Sequence, residues 1–150
     1  MENYNRKQIN NDALKKTIRL TFSYEGSEVK LDSVQHIRMI PPPPQPYKIE
    51  KGQSGFWFEI QDENQRVLYQ RSLHNPIKFD VEVHGNSINE PSTRHKLKSP
   101  KGIFEILSPD LDNGYSIVLF SSPLGEQEFN KPASELARFN LKPNNQEDVK

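Results

Sequence analysis

The residues of this chain that could do chemistry are few and scattered. His36, His74, His84 and His95 are its four histidines, and no His-x-His or His-Glu-x-x-His spacing sets two imidazoles toward one metal ion. Asp110, Asp112 and Gly114 in SPDLDNG match the start of a calcium loop. Gly114, however, stands where the fifth-position oxygen ligand belongs, and Ser121 stands where the closing Glu is needed. The stretch reads instead as a turn in which Asn113 and Gly114 take positive φ. Gly52-Gln53-Ser54-Gly55 falls short of the G-x-S-x-G elbow and precedes a strand, where that motif precedes a helix. Ser72, His74 and Asp80 lie near one another in sequence, but a triad is a geometry that proximity in sequence does not supply. The chain has no cysteine, so thiol nucleophiles, thiolate metal sites and disulfides are all absent. No catalytic residue, metal ligand or cofactor site is expected, and the chain reads as non-enzymatic.

Three features could bind a partner. Arg38-Met39-Ile40-Pro41-Pro42-Pro43-Pro44 places an arginine ahead of prolines at the spacing that docks in aromatic-lined grooves, with Arg38, Pro41 and Pro44 as the contact positions. The same run also suits a stiff crossover between two sheets, because proline lacks the N–H and fixes φ. Arg94-His95-Lys96-Leu97-Lys98-Ser99-Pro100-Lys101 carries no acid. Strand alternation would put Arg94, Lys96 and Lys98 on one side, with Lys101 following, as a phosphate or acidic-protein patch. Its plainer reading is an edge strand protected from pairing by lysines, and it lacks the interleaved aromatics that single-stranded nucleic acid requires. Trp57, Tyr69 and Tyr115 could make a platform for a sugar or other small ligand, provided Trp57, opposite in parity to Phe56 and Phe58, faces outward.

The elements that must position these residues are short strands. Ile18, Leu20, Phe22 and Tyr24 alternate with polar residues from Thr17 onward, and Gly26 turns the chain. A second strand from Glu28 breaks register between Asp32 and His36, as at a bulge or at a bend that passes the strand from one sheet to another. The stretch from Gly52 to Gly85 reads as three consecutive strands around the Asp62–Gln65 turn. Arg94 to Lys98 forms a short polar strand. Ile103, Phe104, Ile106 and Leu107, apolar on both parities, predict a central strand, and Tyr115 to Ser121 predicts the middle of a sheet. Residues 132–141 fit a last strand better than a helix opened by Pro132. Seven or eight strands at roughly ten-residue spacing predict an antiparallel β-sandwich of immunoglobulin-like or fibronectin-like dimensions over residues 17–142. A loose arm over 1–16 and a disordered tail over 143–150 flank it.

Twenty basic residues balance twenty acidic ones, so the whole molecule exerts no general pull on nucleic acid or anionic membrane. The first residues lack the apolar run of a secretory signal, and no window reaches the roughly 20 apolar residues of a membrane span. A soluble, cytoplasmic protein is expected. The run GQSGFWFEIQDENQRVLYQRSLHNPIKFDVEVHG, together with FEILSPDL and VLFSS, resembles a group of uncharacterised bacterial β-sandwich proteins. That resemblance covers roughly Ile18 to Ser122 and implies a fold but no activity. The expected role is protein–protein interaction or assembly within a bacterial complex. A small-ligand-binding module and an acidic-partner or nucleic-acid binder through residues 94–101 are the alternatives.

Overall fold

The computed structural model describes residues 15–50, 52–77, 80–83, 93–96, 100–124 and 130–142, with 80–83 and 93–96 described by backbone alone. Among these residues there are nine strands and no helix: β1 (Lys16–Glu25), β2 (Glu28–Arg38), β3 (Phe56–Gln61), β4 (Val67–Leu73), β5 (Asp80–Val83), β6 (Thr93–Lys96), β7 (Lys101–Pro109), β8 (Ser116–Ser121) and β9 (Ser134–Asn140). They form a three-stranded sheet ordered β2-β1-β7, a four-stranded sheet ordered β4-β3-β8-β9, and a β5-β6 pair. All pairings are antiparallel. Consequently, no helix is long and apolar enough to cross a membrane among the described residues.

One hydrophobic cluster takes side chains from both larger sheets. Ile18, Leu20 and Phe22 of β1, Phe104 and Ile106 of β7, Phe58 and Ile60 of β3, and Ile117 and Leu119 of β8 all belong to it. Full burial of each such side chain is worth roughly 1.5–3 kcal/mol against exposure. Phe22 stacks on Phe104 with ring centroids 5.0 Å apart and reaches Phe139 of β9 at 5.6 Å, while Phe56 meets Phe104 edge-on at 6.4 Å. The segment that sequence leaves between helix and strand is thus β9, whose Leu136, Ala137 and Phe139 pack against the cluster.

Several expectations are corrected. The irregularity in β2 is a bulge: Thr21 pairs with Ser33 and Phe22 with Leu31, so Asp32 is the extra residue. Asp32 accepts a hydrogen bond from Ser23 Oγ at 3.0 Å. The strand does not change sheets there; the prolines that follow make the crossing, from β2 in one sheet to β3 in the other. β7 is an edge strand, not a central one. Its second apolar parity lies on the far side of the sheet from the cluster, where Ile103 is 71% exposed. β8 does lie within its sheet, between β3 and β9. Neither Asn113 nor Gly114 has positive φ, and a Cβ at Gly114 would sit tightly, 3.1 Å from the Leu111 carbonyl oxygen and 3.3 Å from Ile60 Cγ2. Gly26 takes φ 62° as its turn demands. In the turn after β3, Asp62 Oδ1 accepts the N–H groups of Asn64 and Arg66, and Gln65 adopts φ 65°.

Candidate functional site

β3 reads Phe56-Trp57-Phe58-Glu59-Ile60-Gln61, and all six residues are buried. Phe58 and Ile60 belong to the shared cluster, so alternation turns Trp57, Glu59 and Gln61 to the opposite face. That second face is also dry. Trp57 is 4% exposed and stacks on Phe120, its cross-strand neighbour, at 5.2 Å and 15°. Its Nε1–H is buried without a partner. Beside it, Val118 is fully buried.

A row of polar side chains crosses this face. Arg138 of β9 donates from Nη1 to Gln61 Oε1 at 2.9 Å, and Gln61 Nε2 donates to Glu59 Oε1 at 2.9 Å. From the other side, Gln70 Nε2 donates to Glu59 Oε2 at 2.6 Å. The Ile49 backbone N–H donates to Gln70 Oε1 at 3.0 Å. The amide orientations follow from chemistry: Arg138 and a backbone N–H can only donate, so each glutamine must turn its oxygen to them and its NH2 to Glu59. Only a group that accepts at both oxygens fits between two such amides. Burial of Glu59, 8% exposed, is tolerable because both carboxylate oxygens are bonded.

This row ends on the proline crossover and helps to shape it. Three consecutive residues of β4 pin the crossover. Tyr69 Oη donates to the Pro42 carbonyl at 2.8 Å, Arg71 Nη1 donates to the Pro43 carbonyl, and the Gln70 carbonyl accepts the Gln45 N–H at 3.2 Å. Gln70 also grips Ile49, which is 4% exposed. Between the anchors at Gln45 and Ile49 the chain bends at Pro46 and Tyr47, and Tyr47 is 67% exposed. Tyr47 lines an open groove of about 530 Å³ along β4 together with Pro44, Pro46, Lys48, Arg66, Val67 and Leu68 among others. Burial pushes the Tyr69 hydroxyl above its ordinary value of 10.0, against the opposing charge and hydrogen bond of Arg71.

The residues singled out from sequence are not gathered into one site. Pro44 lines the groove, and Pro41 is half-buried. Arg38 lies opposite Lys16 at the end of β2, in a separate depression with Lys15, His36, Ile37 and Asp110. His36 Nδ1 lies 3.0 Å from Asp110 Oδ2. Trp57 and Tyr69 are both buried and face opposite sides of their sheet, Tyr69 against Phe58 at 5.7 Å, so they form no common platform. Tyr115 is half-buried. Arg94 and Lys96 lie in β6, where the register sets Arg94 opposite Glu82 and Lys96 opposite Asp80. Lys98 lies outside the described residues. Lys101 opens β7 and lies 3.8 Å from Glu25. Among the described residues no three His, Asp or Glu side chains are placed to hold a metal ion.

Sequence reasoning missed Tyr47, Lys48, Arg66 and Val67, and the row Glu59-Gln61-Gln70-Arg138. No local signal marked them: Glu59 and Gln61 on the Trp57 parity read as a solvated strand face whether or not that face is covered. The comparisons with known proteins name no relative: no family model, curated protein or solved structure matches the chain.

Proposed function

We propose that the two larger sheets form a β-sandwich of immunoglobulin-like or fibronectin-like dimensions and that it serves, without catalysis, as a module that binds another protein. The shared cluster and the ring contacts between strands of the two sheets support the architecture. The observation that carries the function is Tyr47. A mostly exposed tyrosine, with the exposed Val67 beside the same groove, is held on an arch pinned at Pro42, Pro43, Gln45 and Ile49. Fixing the backbone that carries a large amphipathic ring ahead of contact lowers the ordering cost of association, and tyrosine is among the residues that anchor interfaces. The small-ligand reading loses its platform with the burial of Trp57 and Tyr69.

The test is site-specific photocrosslinking in lysate of the source cells, with the reactive amino acid at position 47 and, as a control, at exposed Ile103. A discrete protein adduct at 47 and none at 103 is expected. No adduct at 47, or the same adducts at both positions, overturns the proposal.

A further inference from the structure

The groove lined by Tyr47 has a one-sided charge. Its lining contains Lys48 and Arg66 and no acid, both cations are exposed, and neither makes an ion pair among the described residues. Three other described cations are met by acids: Arg19 by Glu105 at 3.3 Å, Arg138 by Glu135 at 3.0 Å, Lys101 by Glu25 at 3.8 Å. In a chain of zero formal net charge, the groove thus sets two cations and no acid beside apolar walls. The walls are Pro44, Pro46, Val67 and Leu68, and the mostly exposed Tyr47 lines the groove as well. The groove follows a strand at the edge of the four-stranded sheet, so a straight, extended occupant fits it. The proline side of the groove is poor in backbone N–H groups, which leaves side-chain contacts to determine what binds.

Deepening the protein-binding reading and resting on it, we propose that this groove receives an extended segment of a partner protein in which acidic side chains alternate with aliphatic ones. The acids meet Lys48 and Arg66; the aliphatic side chains lie against Val67, Leu68 and the prolines, beside the Tyr47 ring. Two cations with a single exposed ring are too little for a nucleic-acid strand, which needs a tract of phosphate contacts and repeated stacking. They suffice to select among peptides, where complementary charge governs encounter and rejects like-charged competitors.

The test uses the full chain with three fluorescein-labelled probes of equal length: a peptide alternating Glu with Val and Leu, its twin with Lys in place of Glu, and an oligothymidylate. Fluorescence anisotropy is read at about 0.05 M and 0.3 M salt, a range over which exposed charge pairs weaken. The acidic peptide binds, its affinity falls with salt, and the Lys twin does not bind. The double variant Lys48→Glu/Arg66→Glu stays folded, since both side chains are exposed and make no ion pair among the described residues, loses about tenfold or more in affinity for the acidic peptide and gains the Lys twin. Tyr47→Ala weakens the acidic peptide without changing the charge preference. No binding of the acidic peptide, equal binding of the Lys twin, tighter binding of the oligothymidylate, or an unchanged preference in the double variant each overturns the inference. Crosslinking of a protein at position 47 together with any of these results leaves the interaction reading standing and removes only the acidic peptide. A negative crosslinking result removes both.

Discussion

The two larger sheets solve the same problem differently. The three-stranded sheet has one dry face and one wet one: along β1, Ile18, Leu20 and Phe22 are buried, while Arg19, Thr21 and Ser23 between them are only partly covered. Across that outer face lie the Arg19–Glu105 pair, the Ser23–Asp32 hydrogen bond and exposed Ile103. The four-stranded sheet is dry on both faces at its centre, with every residue of β3 buried and Trp57, Glu59 and Val118 turned away from the main cluster. A sheet with one wet face can take almost any polar residue there. A sheet covered on both faces must pair its buried charges and amides internally, and the Arg138-Gln61-Glu59-Gln70-Ile49 row does so, whereas the Trp57 Nε1–H on the same face stays unpaired. The second covered face thereby acquires a use, since its polar row ends on the segment that presents Tyr47.

Truncation tests this contrast most strongly. Trp57→Ala, on the second face, should cost about 3–5 kcal/mol, as much as Phe58→Ala in the main cluster; denaturant unfolding measures both. A loss under about 1 kcal/mol for Trp57→Ala would show that the second face is only nominally packed. Glu59→Gln keeps the shape but sets an NH2 against the NH2 of Gln61 or Gln70, leaving buried donors unmatched at about 1–3 kcal/mol. It should also speed amide exchange at Ile49, whose partner Gln70 loses its orientation.

Tyr69→Phe should cost about 0.5–1.5 kcal/mol through the lost bond to Pro42, and it also changes the alkaline limb of stability. Because burial raises the Tyr69 pKa in the folded state, its contribution is complete below pH 10 and is lost as pH rises through the folded value, where the unfolded chain has already released the proton. The Phe variant should therefore lose less stability than the parent between neutral pH and strongly alkaline pH. An equal or steeper alkaline loss would contradict the burial of that hydroxyl. The smallest effect belongs to the wet face of the other sheet: Ile103→Ser should fall within about 0.5 kcal/mol of the parent. A larger loss would mean that Ile103 is covered after all.

Much of the fold was legible in the residues. The alternation in β1, the turn at Gly26, the Asp62 turn, the interior place of β8 and the extended form of β9 all follow from local periodicity and turn chemistry. Asp32 marked its bulge by breaking the parity of β2. Ile103 misled because an apolar residue on the second parity of a strand has the same signature whether it is covered or exposed. Trp57 was undecidable for the same reason. That Glu82 stands opposite Arg94 and Asp80 opposite Lys96 is set by the β5-β6 register across more than ten residues of sequence, which the basic run by itself does not record.

By itself, the sequence determined an all-β chain, the places where strands begin and turn, and the absence of thiol chemistry, since these depend on neighbours within a few residues. Tertiary structure decided which faces are dry, which charges meet an opposite, and that the proline run is a crossover with its Pro42 and Pro43 carbonyls turned to Tyr69 and Arg71. Those outcomes depend on contacts such as Gln61 with Arg138 and Glu59 with Gln70, and no local pattern records a partner that only the folding of distant strands brings within hydrogen-bonding reach.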